Sequence, residues 1–262
     1  MQVDIRCLHV DADGDLRRKW EWIVWDDLRT DFKTHGVFAL DSYLDQPTVR
    51  ALSDAFKEPA PVSDSGNQTA TLVKRGVIFA RRNLLTYPVV RQFIASDAVQ
   101  AMVDALAPGH VAVRGILFDK TGEANWTVSW HQDRSIAVLA RHDTPGFGPW
   151  STKAGVVHVQ PPVDLLRLMF TLRFSLDTCG PDNGPLRAIP GTHQTLLSAG
   201  EIDVAVSQSS QTTCTTDAGG VVVMRPLLLH ASSPARHASR RRVLHLEFGP
   251  PQLPGHLNWA MA

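Results

Sequence analysis

Trp130-His131-Gln132-Asp133 sets an imidazole and a carboxylate two residues apart, and His230 follows about a hundred residues downstream at the end of an apolar run. On an extended strand or at its immediate end, residues i and i+2 project to the same side. His131 and Asp133 can therefore hold adjacent corners of one metal ion while Gln132 turns away. A second imidazole from a distant strand, His230, completes a two-histidine, one-carboxylate set that leaves three positions open on a mononuclear iron. Open positions suit an oxygenase. In a chain with eleven histidines an isolated HxD tripeptide also arises by chance, so this reading needs other residues behind it.

Arg241 lies eleven residues beyond His230, and a guanidinium makes a bidentate pair with a carboxylate. Ser232 shares the parity of His230 and can add a hydroxyl to the same group. A dicarboxylic keto acid would satisfy both ends, its keto acid chelating the iron and its far carboxylate meeting Arg241. The neighbours Arg240 and Arg242 have the opposite parity and read as solvated.

These residues must be carried by strands, and the chain supplies them late. Over residues 26–109 helical signals dominate. Leu28, Phe32 and the terminator Gly36 predict a helix with a left-handed cap, followed by a strand Val37–Leu40. Pro47 with Val49, Leu52 and Phe56 predicts a second helix, and Pro88–Ile94 and Ala98–Leu106 two more. Residues 1–25 read as an N-terminal arm whose Trp20, Trp22 and Trp25 pack onto the body. Residues 57–70 read as a mobile lid and Thr71–Ala80 as a strand. From 110 to 250 strands alternate with turn signals. Leu165–Asp177 alternates with period two and reads as one strand. It places apolar residues against the helices and Thr171 and Arg173 on a face that is either a ligand-lined interior or simply solvated. Gly219-Gly220 opens an apolar strand, Val221–Leu229, that delivers His230. The last strand, Arg242–Phe248, sets Leu244, Leu246 and Phe248 opposite Arg241, Val243 and His245.

The bulk properties bound the partners. The chain of 262 residues suits a single domain, and 26 basic against 26 acidic side chains argue for neither nucleic acid nor an anionic membrane as partner. Three scattered cysteines fit a reducing compartment, and no leader or membrane span is evident. The expectation is a cytoplasmic protein acting on a small molecule, of undetermined oligomeric state.

Taken together, WHQD, NGPLRAIPGTHQ at 183–194, GGVVVMRPLLLHASS through His230, and RRRVLHLEF resemble the phytanoyl-CoA dioxygenase family of Fe(II)- and 2-oxoglutarate-dependent oxygenases. The resemblance runs from about Asp26 to Phe248. It implies a mainly β double-stranded β-helix (jelly-roll, cupin-like) barrel with N-terminal helices. His131, Asp133 and His230 would be the iron ligands, and Arg241 with Ser232 the 2-oxoglutarate anchor. Lys120, Asn125 and Trp150 are further candidates for that cosubstrate. Thr171, Arg173 and Arg187 are candidates for the substrate, with a surface salt bridge as the other reading of Arg187. The implied reaction consumes O2, converts 2-oxoglutarate to succinate and CO2, and hydroxylates a C–H bond of a metabolite. The alternatives are a non-oxidative metal-dependent isomerase or hydrolase, or a ligand-binding sensor, on the same barrel.

Overall fold

The computed structural model describes residues 25–57, 71–74, 76–236 and 240–261. Most of the N-terminal arm, with Trp20 and Trp22, and the predicted lid from residue 58 onward lie outside them.

Four helices form a buttress. Helix α1 (Trp25–His35) carries Asp26 and Asp27 in its first turn and Lys33 and His35 in its last, matching the helix dipole. It ends at Gly36, whose φ of 75° is left-handed, and β1 (Val37–Leu40) follows at once. Helix α2 (Gln46–Ala55) starts from Asp45, whose carboxylate accepts from the Thr48 backbone N–H at 2.8 Å. The hairpin β2 (Thr71–Lys74) and β3 (Val77–Arg82) leads to α3 (Pro88–Ile94) and α4 (Asp97–Leu106). The single strand expected over 71–80 is thus two, because the chain reverses at Gly76, φ 80°.

The rest is mostly strand: β4 (Val111–Lys120), β5 (Val128–His131), β6 (Ile136–Val138), β7 (Trp150–Lys153), β8 (Val156–Val159), helix α5 (Val163–Leu168), β9 (Phe170–Ser175), β10 (Leu186–Ile189), helix α6 (Ala199–Gln208), β11 (Thr212–Cys214), β12 (Val221–Met224), β13 (Leu229–Ser232) and β14 (Arg241–Gly249). A major antiparallel sheet runs β1-β12-β9-β14-β4-β3-β2, a minor one β11-β10-β13-β5, and a small third sheet β6-β8-β7. Leu172, Phe174, Leu244, Leu246 and Phe248 turn to the helices and join Leu28, Phe32, Leu52, Val90 and Met102 in the main core. The residues of opposite parity, Arg173, Arg241 and His245, turn toward the minor sheet. The alternation expected of the last strand therefore holds.

Two expected strands are corrected. The stretch 165–177 is a helix, α5, and then a strand, β9. Pro161-Pro162 starts the helix, and the Arg225 guanidinium takes its last carbonyls, with Arg167 O at 3.0 Å and Met169 O at 3.1 Å. Leu166 and Leu168 merely share parity with the strand beyond, and Leu168 is exposed. The run 221–229 is likewise broken, because Pro226 lacks the N–H needed to continue a ladder. There the chain turns a corner, closed by Leu228 N–H on Arg225 O at 3.1 Å, from the major sheet into the minor one.

The α1–β1 junction generates a test. A Cβ on Gly36 would lie 2.4 Å from the His193 ring. Left-handed strain costs about 1–3 kcal/mol and overpacking about 1–3 kcal/mol more, so Gly36→Ala should lower unfolding stability by about 2–6 kcal/mol. Gly76→Ala, with φ 80° but open space around its Cβ, should lose only the strain part, about 1–3 kcal/mol. Urea titrations of both variants check this.

Candidate metal centre

The minor sheet brings His131 and His230 together as cross-strand partners, with ring centroids 4.3 Å apart. Asp133 leaves the end of β5 on the same side, Oδ1 lying 3.8 Å from His131 Nε2 and Oδ2 3.8 Å from His230 Nε2. One ligand atom from each residue falls within 4.8 Å of the others, a spacing that a single ion can bridge.

The backbone sets the tautomers. His131 Nδ1 is 2.8 Å from Ser129 O, and His230 Nδ1 is 2.8 Å from Leu228 O. A carbonyl can only accept, so both Nδ1 atoms carry the proton and both Nε2 lone pairs face Asp133. This is the outer tether that metal-binding histidines use. Burial pushes the His230 imidazole down to about 4, with the Asp133 carboxylate recovering part of the drop. Burial would raise Asp133, yet the two imidazoles beside it, with His245 and Arg114, hold it down to about 2. At neutral pH the buried imidazole is neutral and the carboxylate ionised, the states that bind a divalent cation.

Gln132 turns away as expected and is buried. Its amide donates to Leu227 O at 2.6 Å and Thr195 O at 2.8 Å, and its carbonyl oxygen accepts from Leu197 N–H at 2.8 Å. The Asp133 N–H donates to Pro226 O at 2.8 Å. One residue thus ties the ligand pair to the corner that launches β13.

The group opens into a cavity of about 260 Å³ between the sheets. On the major-sheet side Lys120 and Arg241 are direct cross-strand partners and almost wholly buried. Lys120 donates to Ser232 Oγ at 2.9 Å and Ser233 O at 2.7 Å, and its ammonium lies over the Trp126 ring. Burial, then the charge of Arg241, pushes it down to about 7. Among the described residues Arg241 has only the Cys179 sulfur, at 3.6 Å from Nη1, and its Nε has no acceptor. Farther along, Arg173 donates to His245 Nδ1 at 2.7 Å, so His245 carries its proton on Nε2 and directs it to Glu247 Oε1 at 3.3 Å.

Other sequence candidates fall elsewhere. Asn125 is exposed and pins the backbone of Ala235, accepting at 2.7 Å and donating at 2.8 Å. Trp150 packs under the Arg141 guanidinium. Thr171 is buried but outside the cavity lining. Arg187 does not reach the cavity and makes no salt bridge among the described residues: it stacks on Trp130 on the opposite face of the minor sheet, since residue 130 has the wrong parity for the metal side. Arg240 and Arg242 are not free in solvent, the first chelated by Asp119 and the second buried against Asp177. Charged lining residues not anticipated are Arg82, Arg114, Lys153 and Glu247. Glu247 shares the parity of Arg241 and His245, and Arg114 that of Lys120, so a period-two count could have found both.

Two antiparallel sheets around a two-histidine, one-carboxylate group define the class of mononuclear non-haem metal enzymes on a jelly-roll scaffold. Residues 32–243 match the model of the phytanoyl-CoA dioxygenase (PhyH) family, and the chain belongs to that family of iron- and 2-oxoglutarate-dependent oxygenases. Comparison with curated proteins gives no match. Among solved structures, AviO1 from Streptomyces viridochromogenes Tue57 is similar with a TM-score of 0.61 at 22% identity, covering 94% of this chain and 99% of that one. EctD from S. alaskensis, solved with 2-oxoglutarate and 5-hydroxyectoine, gives 0.65 at 16%, covering 95% and 82%. The epimerase SnoN, in complex with Fe3+, alpha ketoglutarate and nogalamycin RO, gives 0.59 at 15%, covering 88% and 91%. At such identities the likeness is one of fold.

Removing a ligand should separate metal binding from folding, since open sites contribute less to stability than closed structural ones. Asp133→Ala and His230→Ala should each weaken Fe(II) more than about a hundredfold, beyond the 10–100-fold typical of outer-shell losses. Anaerobic Fe(II) titration measures the first effect, and a melting temperature within a few degrees of wild type the second.

Proposed function

We propose that the chain is a non-haem Fe(II)- and 2-oxoglutarate-dependent dioxygenase that hydroxylates an unactivated C–H bond of a small molecule. The observation that carries this reading is one cavity holding both the His131–Asp133–His230 group and two buried cations, Lys120 and Arg241, that no carboxylate pairs among the described residues. The donor set suits iron, with both imidazoles presenting Nε2 and one face left open. When bound, Fe(II) supplies the oxygen chemistry: one atom of O2 enters succinate as 2-oxoglutarate loses CO2, and the other enters the substrate as a hydroxyl.

The chain's own residues bind and orient. Arg241 takes the distal carboxylate of 2-oxoglutarate with its fork. Ser232 serves that anchor indirectly, because its hydroxyl already donates to Gly184 O at 2.9 Å while accepting from Lys120. Its part is to aim the ammonium, whose third N–H is left for the carboxylate. Gly184 is needed there: its φ is 64°, and a Cβ would lie 2.6 Å from Ser233 O and 3.2 Å from Lys120 Nζ. The likeness to an epimerase keeps a non-hydroxylating outcome in view. A product heavier by one oxygen supports hydroxylation, and an unchanged mass supports epimerisation. Absence of succinate under Fe(II), ascorbate, 2-oxoglutarate and O2 would favour a non-oxidative enzyme or a sensor.

Arg241→Ala should raise the KM for 2-oxoglutarate between about thirtyfold and a few thousandfold, matching the ~2–5 kcal/mol lost when one partner of a sheltered charge pair goes. Arg241→Lys should recover part of it. Arg240→Ala, which loosens the start of β14 but removes no contact to the carboxylate, should raise it far less. Lys120 adds a pH signature. Its pKa near 7 in the free protein means that above pH 7 the dianion must bind together with a proton, so affinity should fall as pH rises from 7, by up to about tenfold per unit. Calorimetry in buffers of different ionisation heat should detect the uptake. Lys120→Met should bind more weakly and lose the slope, and a wild-type affinity flat from pH 6.5 to 8.5 would remove Lys120 from the anchor.

A further inference from the structure

The cavity has a second basic end that the proposed cosubstrate does not use. Arg82, Arg114 and Lys153 converge there with Ser135 and Glu247, carried by three strands of two sheets. Arg82 closes β3 opposite Ile116 of β4. Arg114 precedes Ile116 on the same face, and Lys153 ends β7 of the small sheet. On the paired strands β4 and β14, Lys120 faces Arg241 at one end of the cavity wall and Arg114 faces Glu247 at the other. Six residues separate them, about 20 Å at roughly 3.3 Å per residue. The second end adjoins the metal ligands, since Asp133 acts electrostatically on Lys153 and Arg114 on Asp133.

Three cations here share one carboxylate. Glu247 is taken by Arg114 at 2.9 Å and by His245 at 3.3 Å. Lys153, at the mouth, reaches only the Ser135 hydroxyl among the described residues, at 2.9 Å. Arg82 buries a terminal NH1 with no acceptor among the described residues. Burial first, and the neighbouring Arg114 next, lowers the pKa of both. A buried guanidinium N–H without an acceptor opposes folding, and a bound anion would relieve it.

We infer that this end binds an anionic group, a carboxylate or a phosphate, on the organic substrate. Arg82 supplies a planar fork and Lys153 a point charge at the mouth, and together they turn the rest of the molecule toward the face left open by His131, Asp133 and His230. The cavity, about 260 Å³, is below the ~300–1,000 Å³ of sites for drug-sized ligands, so the group sits on a small metabolite. This inference rests on the oxygenase reading for the place of the reaction, but the anion site itself can be tested without turnover.

The test uses the full chain loaded anaerobically with Fe(II) and saturating 2-oxoglutarate, so that the first basic end is filled. Inorganic phosphate and propionate are then titrated by calorimetry against wild type, Arg82→Gln/Lys153→Gln and Lys153→Arg. Wild type should bind at least one anion, and which one assigns the group. The double variant should bind it at least tenfold more weakly while its 2-oxoglutarate affinity stays within twofold, and Lys153→Arg should bind like wild type. Equal anion binding by wild type and the folded double variant, or no binding of either anion, would overturn the inference. So would loss of 2-oxoglutarate affinity in the double variant, which would make this the cosubstrate's own site. Failure of wild type to bind 2-oxoglutarate at all would instead remove the oxygenase reading, and phosphate or propionate titration of the Fe(II) protein would still report on Arg82 and Lys153.

Discussion

The register between β5 and β13 is the constraint on which the rest depends. With His131 opposite His230, both imidazoles leave the same face of the minor sheet, and two residues of extended chain bring Asp133 to the same point. A slip of one residue would turn His230 to the far face and put Leu229 or Ala231 in its place. The Gln132 amide opposes such a slip by bonding three backbone groups at and near the Pro226 corner. Because it lies between two ligands, the residue excluded from the site fixes the site.

Electrostatics explains why the cavity invites ligands. Its lining holds six basic side chains against two carboxylates, Asp133 and Glu247. The Asp133 charge is what two neutral imidazoles and a divalent cation require, and Glu247 is engaged by Arg114 and His245. Lys120, Arg241 and Arg82 are left to be neutralised from outside. Cations held this way oppose folding until an anion arrives, and a ligand that binds only the native state returns stability by mass action.

Parity carried much of the fold and site into view from the sequence. The α1 helix with its Gly36 cap, the Pro47 helix, the facing pattern of β14 and the outward turn of Gln132 all follow from local spacing and chain chirality. What local spacing misses is tertiary. The alternation of 165–177 is continuous as text, yet its first third coils because Arg225, far away in sequence, takes the helix carbonyls. The Val221–Leu229 run looks like one strand because a corner between two sheets needs only one proline. Lys153 and Arg82 reach the cavity from a third sheet and from a hairpin, and no periodicity of their own strands points at the metal.

The run Arg240-Arg241-Arg242 shows how the two levels combine. Its composition suggests a basic patch, but alternation along β14 gives adjacent arginines different fates. Arg242 is clamped by Asp177 and donates to Ser53 O at 3.2 Å, and Arg240 is held by Asp119 on the neighbouring β4. Both pairs fasten the start of β14 to the helices and strands around it. Such partly buried bidentate pairs keep their geometry better than exposed ones, so the strand cannot easily twist to bring Arg241 a carboxylate of its own. The outer two arginines spend their charge within the protein. In doing so they hold the middle one facing inward with its charge unspent, which is the condition for it to recognise an anion from outside.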